Sequence, residues 1–125
     1  MWQHYFSLAA EQDIIEILVW SEENFGEFGR IRYEKLIIAA IRDLSENPER
    51  HGTQQRDEVF ENARLYHLIY SRKSVAVDQR VKRPRHLILF KMVGEQQIEI
   101  ARVLHDYMDL VQHLPEELIS EEFEV

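Results

Sequence analysis

Two helical patterns follow one another between Leu8 and Asn47 with almost no chain between them. Gly26 interrupts the periodicity after the first pattern, and Pro48 stops the second, because proline cannot continue a helix and disfavours helical geometry in the residue before it. Each pattern has one face suited to burial in a core. In the first pattern this face contains Ala10, Ile14, Ile17, Leu18 and Ser21, and Phe25 continues it. In the second pattern it contains Ile31, Tyr33, Leu36, Ile37, Ala40, Ile41 and Leu44. So short a connection between two long helices predicts an antiparallel helical hairpin.

Short apolar and aromatic segments flank this helical region. Residues 3–7 predict a first strand, and Ser7 is placed to cap the helix that follows. After a polar loop over residues 49–63, the pattern predicts strands over 64–71, 86–91 and 97–104, a turn at Gly94-Glu95, and a short helix that begins at Asp106 or Asp109 and ends before Pro115. The order β-α-α-β-β-β-α predicts an α+β fold, in which the hairpin packs on one face of a small, largely antiparallel sheet.

The length and composition of the chain exclude several kinds of protein. At 125 residues it has the length of one domain, and we assign residues 1–115 to that domain and residues 116–125, with five glutamates, to an acidic tail that is dispensable for folding. The absence of cysteine excludes a disulfide scaffold, a thiolate zinc site and a cysteine nucleophile. No apolar run approaches the ~20 residues that span a bilayer, and the first residues lack the features of a secretory signal, so we expect a cytoplasmic protein.

Charge is distributed very unevenly along the chain. The formal net charge is −8, which disfavours general nucleic-acid binding. Residues 72–91 nevertheless contain seven basic groups and only Asp78 as an acid, and they lie between two acidic blocks. This basic segment is either a solvated loop or a surface that meets phosphates, an acidic protein or the chain's own acidic tail.

Neither a metal site nor a cofactor site is expected. The six histidines are scattered, no pair has His-x3-His spacing, and no acid completes a site. Gly26 and Gly29 lie near a helix junction, outside any Walker or Rossmann context, so the glycines form no phosphate-binding loop.

Four local strings, taken in order, resemble one protein family. Residues 5–17 (YFSLAAEQDIIEI) resemble a strand followed by A-x-x-D-(L/I)-x-x-I, and residues 24–26 (NFG) resemble an x-F-G string between two helices. Residues 44–48 (LSENP) resemble L-x-x-x-P, and residues 102–109 (RVLHDYMD) resemble a closing R-V-L-H-x-x-M-D. Together they are similar to the ParE toxins of type II toxin–antitoxin modules, within the RelE/ParE superfamily, over roughly residues 3–115. Two features depart from the family pattern: a long stretch over 56–85 and the tail over 116–125.

The resemblance implies a toxin without a catalytic site of its own. ParE toxins bind a small antitoxin, usually ParD-like, that wraps the toxin with a C-terminal segment, and the freed toxin poisons DNA gyrase. We therefore expect a toxin–antitoxin hetero-oligomer, a part in plasmid stabilisation, and no sequence-specific nucleic-acid binding by the toxin alone. Apolar residues of the hairpin are the antitoxin-binding candidates: Ile14, Leu18, Trp20, Ile37, Ile38 and Ile41. The closing string supplies the gyrase-contact candidates: Arg102, His105, Asp106, Met108 and Asp109.

Two alternatives stay open. Many RelE relatives cut messenger RNA in the ribosome, and that reaction needs cations around the phosphate together with a general acid and a general base. Candidates for such a site are Arg83, Arg85, Arg102, His105 and Tyr107. Period-two alternation along a regular strand, however, puts Arg102 and His105 on opposite faces, so we expect His105 to be a structural residue at a strand end. The other alternative is a degenerate member that only pairs with its antitoxin or regulates its operon.

Overall fold

The computed structural model of the protein describes residues 1–106. Over this range the chain forms one long, interrupted helix and five strands: β1 (Gln3–Phe6), α1 (Leu8–Glu46), β2 (Thr53–Gln55), β3 (Ala63–His67), β4 (His86–Val93) and β5 (Gln97–His105). Two 3₁₀ helices, Leu68–Ser74 and Val77–Gln79, connect β3 to β4. The strands form one sheet in the order β1-β5-β4-β3-β2, in which β1 runs parallel to β5 and the other neighbours are antiparallel. The predicted α+β class and the largely antiparallel sheet are confirmed.

Gly26 reverses the direction of α1. Its φ of 76° and ψ of −178° lie in a region that essentially only glycine adopts. Both ends of α1 reach β1, because the Ser7 hydroxyl caps the first turn and the Trp2 N–H donates to the Ser45 carbonyl in the last turn. A straight helix of 39 residues would be about 58 Å long, whereas the four residues of β1 span only about 13 Å. The segments on either side of Gly26 therefore form the predicted helical hairpin, and we call them the N-arm (residues 8–25) and the C-arm (residues 27–46).

The hairpin packs on one face of the sheet and forms the main core. Most of its fully buried residues come from the C-arm, β4 and β5: Leu36, Ala40, Leu44, Ile88, Phe90, Ile98 and Ile100. The opposite face carries a smaller cluster between the sheet and the connection from β2 to β3: Val59, Phe60, Ala63, Leu65, Leu89 and Ala101. Because both faces of β4 and β5 are covered, these strands have apolar residues at most positions instead of a strict alternation.

The strand predicted over residues 64–71 is shorter than expected. β3 ends at His67, and residues 68–71 belong to the 3₁₀ helix Leu68–Ser74. The hydroxyls of Ser71 and Ser74 each donate to the carboxylate of Asp43 at 2.7 Å, which draws the chain back onto the C-arm. This tertiary contact overrides the strand preference of the aromatic and branched residues in the segment.

The segment predicted as a polar loop, residues 49–63, contains the short edge strand β2. Its three residues pair with β3 and show no apolar alternation. The predicted strands over 86–91 and 97–104 are present, and each is longer than expected. The helix predicted to begin at Asp106 or Asp109 and the acidic tail lie outside the described residues. Within residues 1–106, no helix is both long enough and apolar enough to cross a bilayer.

Candidate functional site

The second half of β5 has an edge that β1 does not cover. β1 pairs with β5 only as far as Ile100. A bulge follows at Ala101, which is skipped where Leu89 pairs with Arg102 and Phe90 pairs with Ile100. Beyond this bulge the N-arm contributes the polar partner of the strand edge.

That partner is Asp13 on the N-arm. Its carboxylate accepts hydrogen bonds from Nε and Nη2 of Arg102, at 2.6 and 2.8 Å, and from the backbone N–H of Val103 at 2.9 Å. The side chains of Asp13 and Arg102 are only 11% and 17% exposed. A two-point contact between a carboxylate and a guanidinium is among the strongest polar contacts in proteins, so this pair compensates the charge of Arg102 and ties the N-arm to β5.

Arg102 and His105 line the same cavity, which corrects the expectation from strand alternation. The cavity has a volume of about 370 Å³ and is also lined by Asp13, Trp20 and Leu104. The long side chain of Arg102 reaches round the edge of β5 that β1 leaves uncovered and so meets Asp13 on the hairpin side. At such an uncovered edge, a long side chain that is attached on one face of the sheet can therefore place its charged group on the other face.

Two histidines face each other beside this cavity. His86 on β4 pairs with His105 on β5, and their ring centroids are 5.3 Å apart. Nδ1 of His86 lies 2.6 Å from the hydroxyl of Tyr33, which in turn accepts the N–H of Arg85 at 3.0 Å. Burial lowers the pKa of His86 to about 4, and repulsion from His105 adds to the effect. Burial also raises the pKa of Tyr33 to about 12, so both groups are neutral at physiological pH.

Asp106 gathers a second group of side chains at the end of β5. Its carboxylate lies 3.1 Å from Nε2 of His67, 3.5 Å from Nε of Arg85 and 3.4 Å from Nδ1 of His105. Burial opposes ionisation, but the hydrogen bond with His67 and the charges of Arg85 and His105 hold the pKa of Asp106 below its ordinary value. The backbone N–H of Asp106 donates to the carbonyl of Arg85 at 2.9 Å, which fixes the end of β5 against the start of β4.

The candidate catalytic groups around the end of β5 lie against carboxylates. Cleavage of a phosphodiester needs cations aimed at the developing charge and a group ready to transfer a proton. Arg102 is paired with Asp13, while Arg85 and His105 lie against the Asp106 carboxylate. No group of three or more histidine, cysteine, aspartate or glutamate side chains in residues 1–106 is arranged to hold a metal ion. The candidates Tyr107, Met108 and Asp109 lie outside the described residues.

The basic segment forms one wall of a separate groove, which we call the basic groove. It has a volume of about 820 Å³ and lies between the bend of the hairpin and the chain that leads to β4. Aromatic and apolar side chains line part of it: Trp20, Phe25, Tyr33, Val77 and Val81. The other part is strongly cationic, with a single acid, Asp78, beside six basic residues: Arg32, Arg72, Arg80, Lys82, Arg83 and Arg85. Arg83 and Arg85, which the sequence suggested as partners of Arg102 in catalysis, thus line a different cavity from Arg102.

Two arginines give the cationic wall its shape. Nε of Arg72 donates to the Val81 carbonyl at 2.7 Å, and Nε of Arg80 donates to the Val75 carbonyl at 2.8 Å. These bonds cross-link the loop without removing any positive charge from it. The basic segment is therefore held in shape by hydrogen bonds of its own.

The antitoxin-binding candidates divide by burial. Ile37 and Ile41 belong to the core, with 3% and 7% exposure, and so are not accessible to a partner. Ile14 and Leu18 are half-buried against the same core, whereas Trp20 and Ile38 are exposed. Whether an isoleucine of the C-arm is buried or exposed depends on which side of the C-arm packs on the sheet. Helical spacing alone does not determine that side, because the apolar band is wide.

The N-arm also carries a stripe of exposed apolar residues that was not predicted from the sequence. Leu8, Ile15 and Val19 are 84%, 56% and 52% exposed, and their spacing places them on one face of the N-arm. The signal was present in the consecutive pairs Ile14-Ile15 and Leu18-Val19, because two adjacent apolar residues on a helix point in directions about 100° apart.

A family model described as the ParE toxin of the type II toxin–antitoxin system parDE matches residues 5–110. The match begins in β1 and runs past the end of β5, so it includes the hairpin, the Asp13–Arg102 pair and the basic groove. No curated protein matches the chain.

Proposed function

The chain belongs to the ParE toxin family of type II toxin–antitoxin systems, and from this premise we propose that it inhibits DNA gyrase by binding to it and is neutralised by a ParD-like antitoxin. The proposal places its action in the cytoplasm and gives the module a part in plasmid stabilisation. It needs no catalytic group on the toxin, because a poison that traps another enzyme acts through a shaped surface.

The observation that carries the proposal is the pairing of Arg102 with Asp13. Arg102 is the residue best placed on the last strand to bind a scissile phosphate, yet its guanidinium is bound by a carboxylate at 2.6 and 2.8 Å. To bind a phosphate it would have to give up this partner and leave Asp13 charged in a site only 11% exposed. The ribosome-dependent endoribonuclease is therefore the less supported of the two mechanisms.

We assign the gyrase contact to the C-terminal end of β5. His105 and Asp106 are partly exposed there, and they border the edge of β5 that β1 leaves uncovered. Arg102 supports this surface from the side, through Asp13. Met108 and Asp109 belong to the same proposed contact in sequence.

We assign the antitoxin contact to the exposed stripe of the N-arm, Leu8, Ile15 and Val19, and keep the exposed Trp20 and Ile38 as further candidates. Three apolar residues on one helical face fit an amphipathic segment that lays its own apolar face along the N-arm. The proposed antitoxin contact thus stays on the hairpin, but it uses exposed residues and no longer includes the buried Ile37 and Ile41.

The test uses the purified full chain in two assays. In the first, gyrase supercoils relaxed DNA with increasing amounts of the protein, and cleaved DNA is measured after detergent treatment. In the second, ribosomes translating a defined messenger RNA are incubated with the protein, and cleavage sites are mapped. We expect loss of supercoiling with accumulation of cleaved DNA, and intact messenger RNA.

The variant His105→Ala separates the two mechanisms. If His105 transfers a proton in RNA cleavage, its removal lowers cleavage roughly 10²–10⁴-fold while the fold is kept. If it forms part of a gyrase contact, its removal lowers gyrase affinity and no RNA cleavage is seen in either protein. The matched control is His51→Ala, an exposed histidine in the loop after α1. Site-specific cleavage of messenger RNA by the wild type, lost in His105→Ala but kept in His51→Ala, would replace the gyrase proposal by the endoribonuclease.

A further inference from the structure

The basic groove combines an exposed apolar part with a cationic part. Its apolar part includes side chains with large exposed fractions, 63% for Phe25 and 77% for Val77. Its cationic part includes Arg32, Lys82 and Arg83, none of which has an ion pair with any other residue in the range 1–106. A ligand that fits such a groove carries several carboxylates and also several apolar side chains.

Residues 116–125 of the same chain have this composition. The segment contains five glutamates and no basic residue, and its glutamates alternate with apolar side chains: Leu118, Ile119, Phe123 and Val125. Its charge is opposite to that of the groove, and its aromatic and branched residues match the exposed aromatic floor. The family match ends at residue 110, so this segment is a feature of this chain outside the matched region.

The position of Asp106 makes the groove reachable. Asp106 is the last described residue, and it is held against Arg85, which lines the groove. Nine residues lie between Asp106 and Glu116, and the ten steps of extended chain from one to the other span at most about 35 Å. The segment is therefore tethered beside the groove, and a tether of this kind raises its effective concentration there to about the millimolar range.

We propose that the acidic segment 116–125 binds in the basic groove of its own chain, with glutamates against Lys82 and Arg83 and apolar side chains over Trp20 and Phe25. Each exposed ion pair contributes little by itself, so the contact depends on several of them together with the apolar floor. It is also sensitive to salt, because the Debye length falls from about 30 Å at 0.01 M to about 3 Å at 1 M.

The experiment is a paramagnetic relaxation measurement on the full chain. Because the chain contains no cysteine, Ser120→Cys introduces a single site for a nitroxide label in the middle of the segment. In ¹⁵N-labelled protein at low salt, we expect the nitroxide to broaden the indole N–H of Trp20 and the amides of residues 77–83 more than those of β2 and β3. The broadening disappears at about 1 M NaCl, where the charges are screened.

Two variants test the charges directly. The double variant Lys82→Gln, Arg83→Gln removes the two exposed cations of the basic groove. We expect it to lose the broadening of Trp20 and residues 77–83 at low salt, with an otherwise unchanged spectrum. The matched control, Arg42→Gln with Lys91→Gln, removes the same charge from residues that do not line the groove, and it keeps the broadening.

Three results would overturn the proposal. The first is an absence of broadening at Trp20 and residues 77–83 in low salt. The second is broadening that survives in the Lys82→Gln, Arg83→Gln protein. The third is broadening that appears only between chains, which is detected by mixing spin-labelled unenriched protein with ¹⁵N-labelled protein that carries no spin label. This last result would assign the segment to a second copy of the chain.

Discussion

Asp13 and Arg102 lie 89 residues apart in the chain and meet through two hydrogen bonds, while the same carboxylate also accepts the N–H of Val103. Asp13 belongs to the first of the four strings that resemble ParE toxins, and Arg102 opens the last. The two strings therefore share a physical task, which is to hold the N-arm against the bulged end of β5.

Replacing Asp13 with alanine leaves the guanidinium of Arg102 nearly buried without its carboxylate. Removing one partner of a buried pair typically costs about 3–5 kcal/mol, and we expect a loss of that size in the free energy of unfolding measured by urea denaturation. The control is Glu22→Ala, which removes one partner of Arg30 where the two side chains are 53% and 30% exposed. That change should cost less than about 1 kcal/mol, so equal stabilities of the two variants would contradict the prediction.

Replacing Gly26 with asparagine tests the bend of the hairpin. A Cβ at this position meets no atom within 4 Å, so any cost comes from the backbone alone, and we expect about 1–3 kcal/mol because non-glycine residues rarely adopt this conformation. Gly94 is the control, since it also has an open environment but its φ of 57° lies where asparagine is tolerated. Gly94→Asn should change stability by no more than about 0.5 kcal/mol. Thermal and urea unfolding of both variants decides between these outcomes.

Acid should destabilise the protein through His86. Its pKa falls from 6.5 in the unfolded chain to about 4 in the fold, so the folded state binds fewer protons between these two values. The stability present above pH 6.5 is therefore lost progressively as the pH falls towards 4, by roughly 3 kcal/mol in total. Asp106 acts in the same sense at lower pH, because its lowered pKa makes its contribution disappear when the carboxylate is protonated.

The variant His86→Gln checks this assignment. Glutamine keeps an acceptor for the hydroxyl of Tyr33 but does not titrate. We expect its unfolding free energy to be lower at pH 7 and nearly independent of pH between 6.5 and 4.5. If wild type and variant show the same slope over that interval, another group is responsible for the acid sensitivity.

A charge on the exposed stripe of the N-arm should weaken antitoxin binding without unfolding the toxin. We expect Val19→Glu to raise the Kd for the antitoxin encoded beside it by about 30-fold or more, as for a central interface residue worth at least about 2 kcal/mol. Ile69→Glu is a matched control, since Ile69 is 43% exposed and lies in the 3₁₀ helix Leu68–Ser74, outside the N-arm. Calorimetric titration of both variants gives the comparison, and equal losses of affinity would place the antitoxin elsewhere.

Removing residues 116–125 should leave the fold intact. The segment contains five glutamates among few apolar groups, so it can contribute little to the core, and we expect a change in unfolding free energy of about 1 kcal/mol or less. Thermal unfolding of full and shortened chains measures this change. A drop in Tm comparable to that of Asp13→Ala would show that the segment is part of the folded domain.

The helical hairpin was predictable because its signals are local. Ser7, Gly26 and Pro48 mark a cap, a break and a stop, and each acts through the backbone of its own neighbourhood. The end of β3 was not predictable in the same way, because Ser71 leaves the strand direction to bind Asp43, a residue 28 positions earlier. The polar edge strand β2 gave no apolar alternation to detect.

The candidate sites show the same division between local and distant causes. The uneven charge of residues 72–91 was visible in the sequence, but the aromatic floor of the basic groove comes from Trp20 and Phe25, which are distant in the sequence. Likewise the choice between Ile37 and Ile38 as the exposed residue depends on which side of the C-arm rests on the sheet. Helical spacing limits such a choice but does not make it.

The parallel pairing of β1 with β5 has a consequence for synthesis. Residues 3–6 leave the ribosome long before their partners, residues 97–100, which belong to the last of the described strands. The β1–β5 pairing and the hydrogen bond from the Ser7 hydroxyl to the Ala101 carbonyl cannot form before that part of the chain is made. At about 5–20 residues per second, the nascent chain waits several seconds in an incomplete state. A toxin with this topology acquires its native surface only after β5 has been made, which leaves that interval for an antitoxin to be present first.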